Sequence, residues 1–248
     1  MKTDEILREL APQGVIRTAI NLGNPVLACR DATTGELAGV SVDLAQEVGR
    51  RLGVGIELRP FDAAGKVTQA VSSSELDMMF LAVDPVRATE ILFTAPYVVI
   101  EGTYLVRDDA PYQTVEDLDR TGVRIAVGKG AAYDLFLTRH LKQASLERAA
   151  TSPDAIALFV EQKLDAAAGV RQPLTAYAEE NPGYRVLPGR FTAIEQGMGV
   201  PKGREIARVW LQDFVEDVKG NGLVRKLLDK HGQNAASVAP PAAGWPTF

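Results

Sequence analysis

The fold is decided by residues 76–82, which read Leu-Asp-Met-Met-Phe-Leu-Ala. An unbroken apolar run after one acidic residue is typical of a strand that is buried on both faces of a parallel sheet. Residues 164–170, which read Leu-Asp-Ala-Ala-Ala-Gly-Val, repeat this pattern in the second half of the chain. The recurrence indicates two halves of similar organisation, each built on a sheet.

Helical and extended patterns alternate before each of these runs. In the first half a strand, a helix, a strand and a helix fall in turn at residues 14–20, 42–52, 56–58 and 65–72. In the second half a strand at 123–127 precedes helices at 131–141 and from Ser152 onward, the latter with proline at its first position. This alternation predicts an α/β fold in which each half is a mostly parallel sheet flanked by helices.

The alternation breaks near Thr94. Residues 97–106, Tyr-Val-Val-Ile-Glu-Gly-Thr-Tyr-Leu-Val, form a long extended run that we interpret as a strand crossing from the first half to the second. Residues 195–200 are a second candidate crossing strand. From about residue 234 to residue 248 the chain is rich in Ala and Pro, so we expect a C-terminal tail, and whether Trp245 and Phe248 anchor it stays open.

Composition and charge exclude several classes of protein. The 248 residues are 46% hydrophobic with a net charge of −5, and they lack the Lys/Arg-rich run that would suit nucleic acid. The apolar runs are too short to span a bilayer, and the single cysteine, Cys29, excludes an intrachain disulfide. Neither His140 nor His231 has a second ligand at metal-binding spacing, and there is no Gly-x-Ser-x-Gly elbow. We therefore predict no metal, no cofactor and no nucleophilic catalysis.

Several landmarks occur in a fixed order along the chain. They are Gly35 to Leu44 ahead of a helix, Leu76-Asp77, Arg87, Phe93 to Tyr97, Val127-Gly128-Lys129-Gly130 and Leu164-Asp165-Ala166. Their order and spacing resemble those of the family 3 extracellular solute-binding proteins, the polar-amino-acid receptors of ABC transporters. The resemblance covers roughly residues 12 to 232.

The resemblance implies a type II periplasmic-binding fold, whose two lobes close around a solute by hinge motion. Lobe 1 would comprise residues 1–100 and 196–248, and lobe 2 the inserted residues 101–195. The solute would lie at the carboxyl ends of the strands, where open α/β sheets bind small molecules. An ABC permease is the implied partner, and we expect a monomer in the periplasm. Because residues 1–7 show no signal peptide, a cytoplasmic location and a lost leader both stay open.

Arg87 is the leading candidate for the binding site, with a surface arginine on the helix after Pro85 as the alternative. In the family that this chain resembles, an arginine at this place in the motif holds the α-carboxylate of the solute. A guanidinium offers a planar two-point match to a carboxylate and stays charged when it is desolvated. In lobe 2 the N-terminus of the helix from Ala131 is expected to meet the same anion, because Gly130 allows a close backbone approach. Lys129 is a further candidate contact, with a solvated loop lysine as the alternative.

Departures from the family bear on the chemistry of the solute. Hydroxyl residues that commonly contact the carboxylate are replaced by Ala82 and Ala131, and the acid that commonly holds the ammonium is replaced by Gly169 or Val170, followed by Arg171. A buried ammonium without a carboxylate partner is costly, so the pattern favours a carboxylate that lacks the amine, or one whose amine meets another acid. The acids considered are Glu101, Glu195 and Asp134, and Glu101 and Glu195, on the two candidate crossing strands, could equally be solvated hinge residues. Secondary pocket candidates, each of which could instead belong to the core or to a loop, are Asn21, Asn24, Phe80, Tyr97, Tyr104 and Tyr133.

Two other functions stay open from the sequence. Cyclohexadienyl dehydratases also resemble family 3 binding proteins. If this chain were such an enzyme, a desolvated Glu101 or Glu195 could serve as its catalytic acid. A cytoplasmic sensor that binds a ligand without transport is the third possibility. The fold does not choose among these functions, because one fold hosts many activities.

Overall fold

The computed structural model describes residues 3–243, so Trp245 and Phe248, whose role as anchors the sequence leaves open, lie outside the described part of the chain. The chain divides into two compact units. Unit 1 comprises the residues up to Val99 together with those from Glu195 onward, and unit 2 comprises Ile100–Ile194. That these units act as lobes that close on a solute remains a prediction.

The elements alternate as an α/β fold requires. The helices are α1 (Thr3–Leu10), α2 (Val40–Leu52), α3 (Ala64–Val71), α4 (Ala132–His140), α5 (Ser152–Glu161), α6 (Arg171–Glu180), α7 (Glu205–Gly220) and α8 (Leu223–Lys230). The strands are β1 (Val15–Asn21), β2 (Cys29–Arg30), β3 (Leu37–Ala38), β4 (Gly55–Phe61), β5 (Met78–Ala82), β6 (Ile91–Arg107), β7 (Arg124–Gly128), β8 (Ser145–Ala149), β9 (Ala166–Val170), β10 (Tyr184–Val186), β11 (Thr192–Pro201) and β12 (Ser237–Val238). Single 3₁₀ turns lie at Arg87–Thr89 and Val115–Leu118.

The sheet of unit 1 is parallel where the sequence predicts it. Strand β1 pairs in parallel with β4 on one side and with β5 on the other, and β11 pairs antiparallel with β5. All five residues of β5 are buried, as the apolar run from Met78 to Ala82 requires. One side of this sheet packs on α3 through Ala19, Val67 and Met79. Within the predicted tail, β12 pairs antiparallel with β6, so residues 237–238 are a strand.

Unit 2 repeats this plan. Strand β7 lies between β9 and β8 and pairs in parallel with both, while β6 and β10 add antiparallel strands. Its core joins the sheet to α5 and α6 through Ala126, Phe159 and Leu174. The predicted α/β fold with mostly parallel sheets is thereby confirmed. Among residues 3–243, no helix combines the length and apolarity that crossing a bilayer would need.

The repeated Leu-Asp pattern has a structural cause at the start of a strand in each unit. Asp77 precedes β5, and its Oδ2 accepts a hydrogen bond from the backbone N–H of Arg17 on β1 at 3.0 Å. Asp165 precedes β9, and its Oδ2 accepts one from the backbone N–H of Arg124 on β7 at 2.8 Å. In each case the carboxylate joins the amino ends of two neighbouring parallel strands.

The carboxylate of Asp77 also pairs with two guanidinium groups. Arg17 donates from Nε and Nη2 at 2.7 and 2.8 Å, and Arg204 donates from Nη1 at 2.8 Å. Burial by itself raises the pKa of Asp77, but the hydrogen bonds from Arg17 and Arg204 outweigh it, so the pKa lies below its ordinary value. This cluster fastens β1, β5 and the start of α7 together at the amino ends of the strands, which leaves the carboxyl ends for the candidate site.

Candidate functional site

Arg87 lies just beyond the carboxyl end of β5 in unit 1. Its side chain is buried, with 1% of the residue exposed, and its Nη1 donates to the carbonyl oxygen of Ala82 at 2.9 Å. Burial lowers the pKa of Arg87 to about 10, while the charge of Asp84 acts in the opposite direction. The guanidinium therefore stays protonated at neutral pH, in surroundings where its charge is poorly screened by water.

The turn between β5 and Arg87 is held by Asp84. Its Oδ1 accepts a hydrogen bond from the N–H of Val86 at 2.8 Å, and its carbonyl oxygen accepts one from Ala88 at 2.9 Å. Asp84 is 5% exposed. Sequence reasoning missed this residue, although an Asp followed by Pro is a known turn signal.

The last residue of β1, Asn21, and the loop residue Asn24 lie at the same edge of the sheet as Arg87, because β1 and β5 run in parallel. The Oδ1 of Asn21 accepts the N–H of Gly23 at 3.0 Å, so this side chain serves the turn. Asn24 is 7% exposed, and within residues 3–243 its Oδ1 has no hydrogen-bond partner. An unsatisfied buried acceptor costs about 1–3 kcal/mol, so Asn24 is suited to meet a donor on a bound solute or a water molecule.

Phe80 and Tyr97 belong to the interior of unit 1. Phe80 is 3% and Tyr97 0% exposed, and their rings meet edge to face at 5.9 Å between centroids. The hydroxyl of Tyr97 lies 3.3 Å from Oγ of Ser41 in the first turn of α2. Burial raises the pKa of Tyr97 above its ordinary value. Of the two sequence interpretations, these contacts favour the core for both residues.

In unit 2 the segment from Lys129 to Ala131 links β7 to α4. Lys129 is exposed, and Ala131 is the extended residue before the first helical turn. The N–H of Gly130 donates to Oδ2 of Asp134 at 2.8 Å, and Arg148 donates to Oδ1 of the same carboxylate at 3.0 Å. The position at which an anion was predicted to meet the Gly130 amide is thus served by a carboxylate of the chain itself.

Tyr133 points towards the start of α5. Its hydroxyl donates to Oγ of Ser152 at 2.7 Å, and a side chain added at Gly128 would place Cβ 2.9 Å from that hydroxyl oxygen. Burial raises the pKa of Tyr133 to about 12. Tyr104 is likewise buried and packs on Phe191 at 4.6 Å between ring centroids. These contacts give both tyrosines a packing role within unit 2.

Arg171 is the first residue of α6 and lies directly after the carboxyl end of β9. The register of β6 against β9, with Gly102 opposite Val170, brings Glu101 beside it. Nε of Arg171 donates to Oε2 of Glu101 at 2.7 Å, and Arg190 lies 3.4 Å from Oε1 of the same carboxylate. Arg190 was missed by the sequence analysis because no periodic pattern marks its loop.

The remaining predicted positions are simpler. Ala82 ends β5, is 4% exposed and offers its carbonyl oxygen to Arg87. The side chain of Glu195 is exposed on β11, and its carbonyl oxygen accepts the N–H of Val83 at 2.8 Å. Within the described part of the chain, no group of three or more His, Cys, Asp or Glu side chains is placed to hold a metal ion.

Most of the chain also matches the model of a known protein family. Residues 16–234 match the model of the bacterial extracellular solute-binding proteins, family 3. The matched range includes β1 from its second residue onward, β5, the Arg87 turn and all of unit 2. It agrees with the resemblance found in the sequence.

Individual proteins are similar at lower levels. The L-cystine-binding protein TcyJ of Escherichia coli K12 is 23% identical over 201 residues, which cover 79% of this chain and 74% of TcyJ. A cyclohexadienyl dehydratase of Pseudomonas aeruginosa is 27% identical over 156 residues, or 62% of this chain and 57% of that enzyme. The crystal structure of a mutant of ArgBP from T. maritima superposes with a TM-score of 0.79 at 21% identity, covering 92% of this chain and 100% of ArgBP. That superposition confirms the type II periplasmic-binding fold.

Proposed function

Because the chain belongs to the bacterial extracellular solute-binding proteins of family 3, it is a solute-binding protein, and we propose that its solute is a small carboxylate or amino-acid-like molecule. We further propose that it serves an ABC-type uptake system outside the cytoplasmic membrane. The sequence relatives support this proposal, since TcyJ is named for binding L-cystine. The closure of two lobes on the solute stays part of the proposal.

The position of Arg87 is the observation that supports a carboxylate group on the solute. Its guanidinium lies at the carboxyl end of a central parallel strand, which is where α/β sheets bind ligands. The strongest hydrogen-bonding mode of a guanidinium is a two-point pair with a carboxylate. The bond from Nη1 to Ala82 orients the side chain before a solute arrives. Such an orientation reduces the entropy that binding must overcome.

Asn24 adds a second polar contact to the proposed site of unit 1. Its buried Oδ1 suits a hydroxyl or amide donor on the solute. Asn21 is less suited, because its Oδ1 already accepts the Gly23 N–H. Among the proposed contacts, Arg87 is therefore expected to provide affinity for the carboxylate and Asn24 to provide selectivity for the remainder.

Ligand-induced stabilisation tests the proposal. A thermal-shift screen of amino, keto and hydroxy acids should reveal binders, because a ligand at 100 times its Kd stabilises the folded state by about 2.7 kcal/mol, or roughly 5 to 10 °C in Tm. Arg87→Met keeps the bulk of the side chain without its charge and should abolish the shift. Arg87→Lys should reduce it, because an ammonium lacks the planar fork.

The matched control is Arg50→Met, which removes an arginine whose side chain is 70% exposed on α2. It should leave the ligand-induced shift unchanged. Retention of the full shift in Arg87→Met would remove Arg87 from the site. Absence of any shift across the whole screen would contradict binding of a small carboxylate.

The dehydratase function is the weaker alternative. It is favoured by the 27% identity to the Pseudomonas aeruginosa enzyme, but that match covers only 57% of the enzyme. One of the predicted catalytic acids, Glu101, is paired with Arg171 and Arg190. Conversion of prephenate or arogenate by the purified protein, followed by ultraviolet absorbance, would establish the enzyme and overturn the binding-only function.

A further inference from the structure

The ion pairs of unit 2 bear on whether the solute carries an ammonium group. Glu101 stands beside the carboxyl end of β9, where a carboxylate could hold an ammonium. Its two oxygens are bonded to different guanidinium groups, Oε2 to Arg171 at 2.7 Å and Oε1 to Arg190 at 3.4 Å. One negative charge is thus met by two positive charges, and the cluster as a whole is cationic.

Arg171 cannot release Glu101 without disturbing the loop before β11. Besides Glu101, its Nη2 donates to the carbonyl oxygen of Gly189 and its Nη1 donates to that of Leu187 at 3.5 Å. Both carbonyls lie in the segment that also carries Arg190. If Arg171 moved away to make room for an ammonium, each carbonyl oxygen would lose one of its two donors and keep only the hydroxyl of Thr103, which lies 3.2 Å from both. Arg171 is accordingly a positioning residue, and it keeps Glu101 engaged.

Asp134, in the first turn of α4 beyond the carboxyl end of β7, is engaged in a similar way. It is 3% exposed and accepts hydrogen bonds from the N–H of Gly130 at 2.8 Å and from Nε of Arg148 at 3.0 Å. The hydroxyl of Thr138 lies 3.2 Å from its Oδ1. This carboxylate holds the start of α4 in place, so an arriving ammonium would compete with a guanidinium for it.

In unit 1, taken by itself, two acids beyond the strand ends also interact with neighbouring groups of the protein. Beyond β5, Asp84 accepts the N–H of Val86 and lies in the field of Arg87. Beyond β4, Asp62 pairs with Lys66 at 2.8 Å. The carboxylate of Glu195 is exposed, and a water-screened ion pair there would give little discrimination.

We propose that the solute is an organic acid without an α-ammonium group, of the α-keto or α-hydroxy acid class. This inference rests on the proposed function, because it takes the carboxylate contact with Arg87 as given. Burial of an ammonium that finds no carboxylate is unfavourable, whereas a keto or hydroxyl oxygen needs only a hydrogen bond. The cations of the strand ends then select for the carboxylate, and the engaged acids select against the amine.

Matched acids that differ only at the α-carbon test the proposal. Isothermal titration of the full chain with pyruvate, L-lactate and L-alanine, and with phenylpyruvate, L-phenyllactate and L-phenylalanine, compares amine-free and amine-bearing members of one shape. The same comparison uses 2-oxoglutarate and L-glutamate. We expect the amine-free member of at least one set to bind at least about tenfold more tightly than its amino acid.

Outcomes of this titration separate the two proposals. Equal or tighter binding of the amino acid in every set that binds, lost in Arg87→Met, overturns the inference and leaves the proposed function standing. Failure of every acid to bind overturns both. Preference for the amine-free acid, lost in Arg87→Met, supports both.

A variant that releases Glu101 gives a second, independent measure. Arg171→Gln should leave Glu101 with only Arg190, and the preference for the amine-free acid should fall by about tenfold because the amino acid gains a carboxylate partner. Arg190→Gln removes a side chain that is 50% exposed, should fold like the wild type by circular dichroism, and should lower the preference in the same direction. An unchanged ratio of the two affinities in both folded variants would overturn the inference.

Discussion

Replacement of Asp77 by asparagine tests the role of the buried carboxylate at the amino ends of the strands. Asp77 is 0% exposed, and its two oxygens accept four hydrogen bonds, three from Arg17 and one from Arg204, at 2.7 to 3.0 Å. Asparagine keeps one acceptor oxygen and turns an amide donor towards the guanidinium groups. Removal of one partner from a buried ion pair costs about 3–5 kcal/mol, because the remaining charge loses its compensation.

The matched control is Asp165→Asn in unit 2. Asp165 has the same place in the repeated Leu-Asp pattern, but its partners are the N–H of Arg124 and the hydroxyl of Tyr112, at 2.8 and 3.0 Å. Loss of hydrogen bonds to these groups, without loss of an ion pair, should cost about 1–2 kcal/mol. The two variants therefore separate the charge of the motif from its hydrogen bonding.

Thermal unfolding followed by circular dichroism at pH 7 provides the comparison. Asp77→Asn should lower Tm by roughly 6 to 20 °C, and Asp165→Asn by only a few degrees. Because the folded-state pKa of Asp77 is depressed, its stabilisation is complete above the unfolded pKa of about 3.9 and disappears as the pH falls through the folded value. The difference in Tm between Asp77→Asn and the wild type should therefore become smaller below about pH 4. A larger Tm loss in Asp165→Asn than in Asp77→Asn would refute the reasoning.

Two further substitutions probe single contacts in each unit. Gly39→Ala places Cβ 2.4 Å from the carbonyl oxygen of Leu27 at a φ of 125°, and should cost more than the roughly 1 kcal/mol expected for Gly35→Ala, where φ is 73° and nothing lies within 4 Å. Equal Tm losses for these two glycines would contradict the close packing of α2 on that loop. Tyr133→Phe removes the hydrogen bond to Ser152 and should lower stability by about 1 kcal/mol in chemical denaturation. No measurable loss would show that this hydroxyl does not contribute to the packing of α4.

The sheets could be predicted because their signals are local. The apolar run of β5 is continuous over residues 78–82, and that of β9 over residues 166–170, so burial on both faces was readable from composition alone. The end of α2 was equally clear, since Gly53 has a φ of 68° and closes the helix through a hydrogen bond to Gly49. Signals of this kind need no knowledge of distant residues.

Elements with weak local signals were not predicted. Strand β8 reads Ser-Leu-Glu-Arg-Ala, and among the described residues it pairs only with β7. Its polar positions interrupt the apolar pattern that would have predicted a strand. Helix α6 begins directly after β9 with Val170 at its N-cap, where no Ser, Thr, Asp or Asn announces a helix. Both elements depend on tertiary contacts, because β8 pairs with β7 and α6 packs on the sheet of unit 2.

The partners of the candidate site residues were beyond sequence reasoning for a similar reason. Arg87 could be proposed from its place in a motif, but the pairing of Glu101 with Arg171 joins residues 70 positions apart. The contact of Glu101 with Arg190 joins residues 89 positions apart. No periodicity connects these positions. Glu101 was therefore a candidate partner for a solute ammonium until its protein partners were known.

We expect the two ends of the strands to have different roles, with stability set at the amino ends and recognition of the solute at the carboxyl ends. At the amino ends, Asp77 and Asp165 join neighbouring strands through hydrogen bonds to backbone N–H groups. At the carboxyl ends, Arg87 follows β5 and Arg171 follows β9, in turns whose side chains can change without removing a strand pairing. If this division holds, Asp77→Asn should lower Tm while leaving the Kd of the folded protein for its solute within about twofold, whereas Arg87→Met should raise the Kd by at least about tenfold. A large change of Kd in folded Asp77→Asn would show that the strand starts and the solute site are energetically coupled, and that the ion cluster belongs to recognition as well as to stability.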